Sequence, residues 1–262
     1  LHDALPIYIA SELLKEKREK HIYLGAISIL MCLILTLSNF YKLTQRASVL
    51  DLYCDNMEFI FFITLLFTIL YTIVIFADEH RYGTIYQLEI IPVSSRKFVL
   101  AKLVVIAFFS TITMVFPSLV YAIIIGIRGY DFSFYTIAVL LLINIIDALL
   151  LTAVMLPIVF IVTLCKGNYI PSLLLSFAYM ILCFFIPSFP ISQSLAQKLL
   201  AYAHPLGGYA LIHNWLIYKL VPYETSMILE PKENGILALG GMILWGMLCL
   251  SFSIIIMKRK GK

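Results

Sequence analysis

The chain has 262 residues, of which 62% are hydrophobic and 13% charged, against the ~25% charge of an ordinary soluble domain. Its mean hydropathy is +0.98, and its apolar residues gather in runs of about 17 or more, the length that crosses ~30 Å of hydrocarbon as a helix. A water-facing globule is excluded, and the net charge of +4 is too small to mark a nucleic-acid binder. The fold class that follows is an all-α, multi-pass membrane protein in which residues 1–262 form a single transmembrane domain.

In chain order, "SELLKEKREKH" (Ser11–His21) comes first. Residues 9–21 predict a cytoplasmic amphipathic N-terminal helix that Ser11 caps, with Glu16 and Lys20 in the favourable i, i+4 order. Six transmembrane helices follow: Ile22–Ser38, Met57–Ala77, Val99–Ile127, Phe134–Cys165, Tyr169–Ile186 and Gly235–Met257. The third and fourth are longer than a perpendicular crossing needs, and Pro117 and Pro157 inside them predict kinks.

Lys and Arg set the orientation. Thirteen of them flank the spans on the side of the two termini and of residues 78–98, and six lie on the other side. Both termini are therefore expected in the cytoplasm of a bacterial-type cell. The remaining long segment, 187–234, becomes an external helical insert. Within it, "HPLGGYALIHNWLIYKL" is too short and too polar to span, and predicts an interfacial or re-entrant helix with an aromatic anchor.

Motifs for chemistry are scarce. There is no H-E-x-x-H, no G-x-S-x-G and no P-loop, so neither a catalytic nor a metal site is expected. Cys32, Cys165, Cys183 and Cys249 lie in apolar runs and read as small core residues, while Cys54 stands alone in a loop. His80, His204 and His213 read as surface or interfacial histidines.

Asp147, with Asn144 one turn before it on the same face, is the ionisable residue set deepest in a span. A carboxylate there costs about 2.5–3.5 kcal/mol on insertion scales, so it must face protein or water. One reading is a polar spot on a translocation path. The preferred one is bonding between helices, with Asp147 protonated or paired with Asn144 and a nearby Ser or Thr. No basic partner is visible at its depth.

The densest polar stretch is "ADEHRYGTIYQLEIIPVSSRKF", residues 77–98, between the second and third spans. An acid, three residues, Gly-Thr, a short amphipathic run and Pro-x-Ser-x-Arg before the next span resembles the cytoplasmic loop of ABC-2 type transporter permeases. Glu79, Gly83 and Thr84 match the first part; Pro92, Ser94 or Ser95, Arg96 and Lys102 match the second, with one extra serine in the register. Six spans, a basic N-terminal helix and a helical insert between spans five and six agree with that family.

The resemblance implies a short coupling helix between helices 2 and 3. Gly83 would allow its tight entry, Thr84 would cap it and Pro92 would stop it. Asp78, Glu79, Arg81, Glu89 and Arg96 would face a partner. With no P-loop of its own, the chain would bind no cofactor and would dock separate ATP-binding subunits carrying the ATP and Mg. A second permease copy or paralogue would complete the pore. The nearest branch by resemblance is bacitracin- and lantibiotic-immunity export, which implies an amphipathic substrate. Rival classes remain: a stand-alone proton-coupled carrier, which would call for repeats and more buried ionisable groups; an intramembrane enzyme using Asp147; and a non-transporting sensor on the same scaffold.

Overall fold

The structure is a computed structural model and describes residues 4–18, 21–41, 49–81, 95–127, 134–188, 205–220 and 235–259. Secondary structure among these is entirely helical: α1 (Ala4–Arg18), α2 (Ile22–Tyr41), α3 (Val49–Arg81), α4 (Ser95–Ile127), α5 (Phe134–Val154), α6 (Leu156–Leu164), α7 (Tyr169–Ser188), α8 (Pro205–Leu220) and α9 (Gly235–Arg259). Helices satisfy every backbone group internally, which hydrocarbon demands.

Among the described residues, four stretches are long and apolar enough to cross a bilayer: Phe59–Glu79, Arg96–Ile124, Ile137–Leu164 and Gly235–Met257. Ile22–Ser38 and Tyr169–Ile181 are shorter apolar helices. The third long stretch, Ile137–Leu164, is divided where the sequence puts Pro157. α5 ends at Val154, and α6 restarts with the proline in its first turn, where a missing N–H costs nothing. Pro117, by contrast, lies inside an uninterrupted α4.

Side-chain contacts define the packing. Tyr71 of α3 stacks on Phe109 of α4 (centroids 4.1 Å apart). Ser110 of α4 bonds Ala148 O of α5 at 3.1 Å, and Ser118 bonds Asn144 at 3.1 Å, so these neighbours run antiparallel. Small hydroxyls let the backbones approach and bond across the interface, as membrane helices commonly do. α6 turns into α7 through Lys166 (φ 56°) and Gly167 (φ 74°). Gly167 N–H bonds Val162 O at 3.2 Å and Lys166 N–H bonds Thr163 O at 3.3 Å, the paired bonds of a left-handed helix stop.

α8 does not lie loosely on a surface. It packs against α9, α5 and α7, and buries Tyr209, Ile212 and Ile217. Trp215 lies against Gly235, and Gly208 against Met242 and Ala238, so α8 runs antiparallel to α9. Phe61 of α3 stacks on Tyr209 at 4.0 Å. α9 keeps most of its own surface open, with 28% of its apolar window buried.

Candidate functional site

Two buried polar groupings stand out among the described residues. The first sits at the foot of α3, where the 77–98 stretch begins. Lys102, in the second turn of α4, is 1% exposed, so its ammonium has no water to bond. Its three donors meet three acceptors: Glu12 Oε2, Glu79 Oε1 and Ile75 O, each at 3.0 Å. The rings of Phe98 and Phe76 lie 5.0 and 5.7 Å from Nζ, close enough for cation–π attraction. Glu79 also accepts from Lys15 of α1.

His21, in the turn between α1 and α2, bridges two more acids. Its Nδ1 is 2.8 Å from Glu16 Oε2 and its Nε2 is 3.1 Å from Asp78 Oδ2. Tyr169, in the first turn of α7, donates to the other oxygen of Asp78. Charges removed from water survive only when paired and hydrogen-bonded, and these residues supply one another's partners. The result is a clamp joining α1, α3, α4 and α7.

This placement corrects the sequence expectation. Asp78 and Glu79 are 6% and 2% exposed, so their carboxylates face inward to the clamp and are not held out toward a partner. Arg96 is exposed in the first turn of α4. Arg81 ends α3; Gly83, Thr84, Glu89 and Pro92, with most of the expected coupling helix, lie outside the described residues. Glu12, Lys15, His21, Lys102 and Tyr169 were not expected as site members. Two signals for them are in the sequence: Glu12 and Glu16 share one helix face, and Lys102 lies inside an apolar run.

The second grouping lies in the bundle, on α5. Asn144 and Asp147 are both 0% exposed. Asn144 donates to Leu140 O at 2.8 Å and accepts from Ser118 at 3.1 Å. Asp147 Oδ2 is 2.8 Å from His213 Nδ1, while its Oδ1 meets no hydrogen-bond partner among the described residues. Here too the structure corrects the sequence reading. Asp147 does have a basic partner, and His213 is not an interfacial histidine but half of this pair, stacked on Tyr209 (centroids 5.7 Å). The signal was hidden because 66 residues separate the two.

No group of three or more His, Cys, Asp or Glu among the described residues is arranged to hold a metal. Both groupings join helices through hydrogen bonds between buried polar side chains, the first with ion pairs as well.

A family model described as ABC-2 family transporter protein matches residues 8–183. Comparison with curated proteins and with solved structures finds no match. The family match spans well over half of the 262 residues and takes in every member of the clamp; this multi-pass chain belongs to the ABC-2 family of transporter proteins.

Proposed function

We propose that the chain is the membrane-spanning permease subunit of an ATP-driven exporter that moves an amphipathic substrate out of the cell, a peptide antibiotic exported for self-protection being the specific case. Family membership brings the association with ABC ATP-binding subunits. The finer assignments are ours: six crossings, both termini in the cytoplasm, a plasma-membrane location and a second permease copy beside this one.

The observation that carries the mechanism is the double hold of Glu79 on Lys15 and Lys102. Residues 82–94 connect the foot of α3 to the foot of α4, and the clamp ties those same feet to each other and to α1. A push on the connecting loop therefore reaches three helices as one body. ATP-driven closure of the partner subunits supplies that push, through Gly83, Thr84, Glu89, Pro92 and Arg96. The rocking of the bundle passes Asn144 and Asp147, which line or gate the substrate's route.

Co-purification with the ABC ATP-binding subunits of the same organism, followed by ATPase assay in nanodiscs, tests the reading. Gly83→Leu should weaken the complex. Glu79→Gln should leave the complex intact and uncouple it, because Glu79 transmits from inside. Failure of any ATP-binding subunit to associate with the wild-type chain would sink the proposal.

A further inference from the structure

A cavity of about 530 Å³ lies between α1, α2 and α4, within the ~300–1,000 Å³ of small-molecule sites. Two lips frame its mouth. Ile22 and Ala26, one turn apart on α2, make one, and Phe108 and Ile112, one turn apart on α4, make the other. All four are exposed, Ile22 at 61% and Phe108 at 56%, so the mouth opens sideways between two apolar helices into hydrocarbon. The floor is buried: Tyr71 and Phe109 stack on one another, with Val105 and Thr113 a turn to either side of Phe109 along α4. Gly25 brings α2 close over this floor, since a Cβ there would lie 3.1 Å from the Phe109 ring. From Val105 to Thr113 the slot follows α4 for about 12 Å at 1.5 Å per residue.

The lining offers nothing polar to a guest. Its hydrogen-bonding side chains are Glu16, Tyr71 and Thr113, and each is engaged already. Glu16 meets His21 Nδ1 at 2.8 Å, the Tyr71 hydroxyl bonds Glu16, and Thr113 donates to Phe109 O of its own helix at 2.9 Å. A water held in the slot would need two to four polar partners, and without them such a cavity stays dry. A dry void left empty forfeits the dispersion contacts of its walls. Hydrocarbon restores them, and hydrocarbon is what lies outside the mouth. With every polar group engaged, the slot selects a chain and not a head group.

We infer that this slot binds an acyl chain of a bilayer phospholipid, laid along α4 against the Tyr71–Phe109 floor. The site goes beyond the exporter reading and stands whether or not the chain transports anything. Glu16, an acid of the clamp, belongs to the same lining as Leu13 of α1. The bound chain therefore fills the gap that α1, α2 and α4 leave between them, and packs the clamp's first helix onto the bundle.

The test uses the full chain in phosphatidylcholine nanodiscs, without ATP or ATP-binding subunits. A phosphatidylcholine with a photoactivatable diazirine midway along one acyl chain is cross-linked, and the adducts are mapped by peptide mass spectrometry. Lipid that merely surrounds the protein reaches exposed side chains, so the readout is labelling of the buried floor at Tyr71, Val105 and Phe109. The floor should be labelled, and equally by a phosphatidylglycerol probe with the same chain. Ala26→Trp, on an exposed lip, should abolish floor labelling and leave labelling of α9 unchanged. Leu30→Trp, as exposed but outside the lining, should change neither. Adducts confined to exposed side chains, floor labelling indifferent to Ala26→Trp, or floor labelling by a water-soluble diazirine would overturn the inference. So would loss of the label to an equimolar alkylamine, which would make the slot a substrate site, or a preference for one head group. ATPase coupling plays no part in the readout, so the site and the exporter reading fail separately.

Discussion

Lys102 shows what it takes to keep a charge at the foot of an apolar helix. Three acceptors at 3.0 Å and two aromatic faces replace its hydration, and removal of one partner from such a buried set typically costs about 3–5 kcal/mol. Lys102→Met should therefore lower the melting temperature in detergent sharply, because it takes from buried Glu12 the ammonium it pairs with. Adding Glu12→Gln should recover part of the loss, since the stranded charge is then gone. Equal melting of the single and double variants would show that the pair is not coupled. Sequence shows that Lys102 is anomalous but not what it meets, for its partners lie 90, 27 and 23 residues away. Periodicity reports which face of a helix is apolar; it does not report which charges on different helices meet.

At the scale of elements, α8 is held by one polar pair and by close backbone approach. Asp147 binds it to α5 through His213, and a Cβ on Gly235 would meet Trp215 at 2.8 Å. In a Trp245→Phe background, Trp215 becomes the sole tryptophan and reports on α8. Asp147→Leu and His213→Leu should each shift its emission to the red as α8 loosens. The double change should cost less than the two singles added, as for residues in one contact; strict additivity would mean the pair does not hold the helix. By contrast, a Cβ at Gly246 would meet only the Leu156 Cδ1 methyl, 2.7 Å away, which can rotate aside. Gly246→Ala should therefore change the melting temperature less than Gly235→Ala, whose Cβ meets the Trp215 ring and Cβ. Helix positions were legible from apolar runs, down to the division at Pro157. The burial of α8 was not, because its stretch mixes Gly, His and Asn with aromatics, and such composition suits a membrane surface as well as a polar-lined bundle.

For the whole molecule, the spans alternate in direction, and the clamp gathers α1 and the feet of α3, α4 and α7 at one end. Composition alone made a multi-pass helical protein readable, and the loop motif pointed to the right family. The clamp could not be read, because its charges looked like an ordinary positive flank in one dimension. Orientation remains ours to predict. With native cysteines removed, Lys166→Cys should react with a membrane-impermeant maleimide only in inside-out vesicles, and Arg128→Cys only in intact cells. The reverse pattern would invert the topology and place the 77–98 stretch beyond reach of any cytoplasmic ATP-binding subunit.

The Glu12–Lys102 contact joins residues 90 positions apart, and this has a consequence for how the protein is made. At about 5–20 residues per second of synthesis, the helix bearing Glu12 waits several seconds before its lysine exists. Until α4 has been made, α1 has its contacts to α3, Lys15 with Glu79 and Glu16 through His21 with Asp78, but Glu12 still lacks its lysine. The clamp is thus a late seal on biogenesis: a nascent chain that stops before α4 leaves α1 open to proteases, and a chain that passes it locks its own beginning in place.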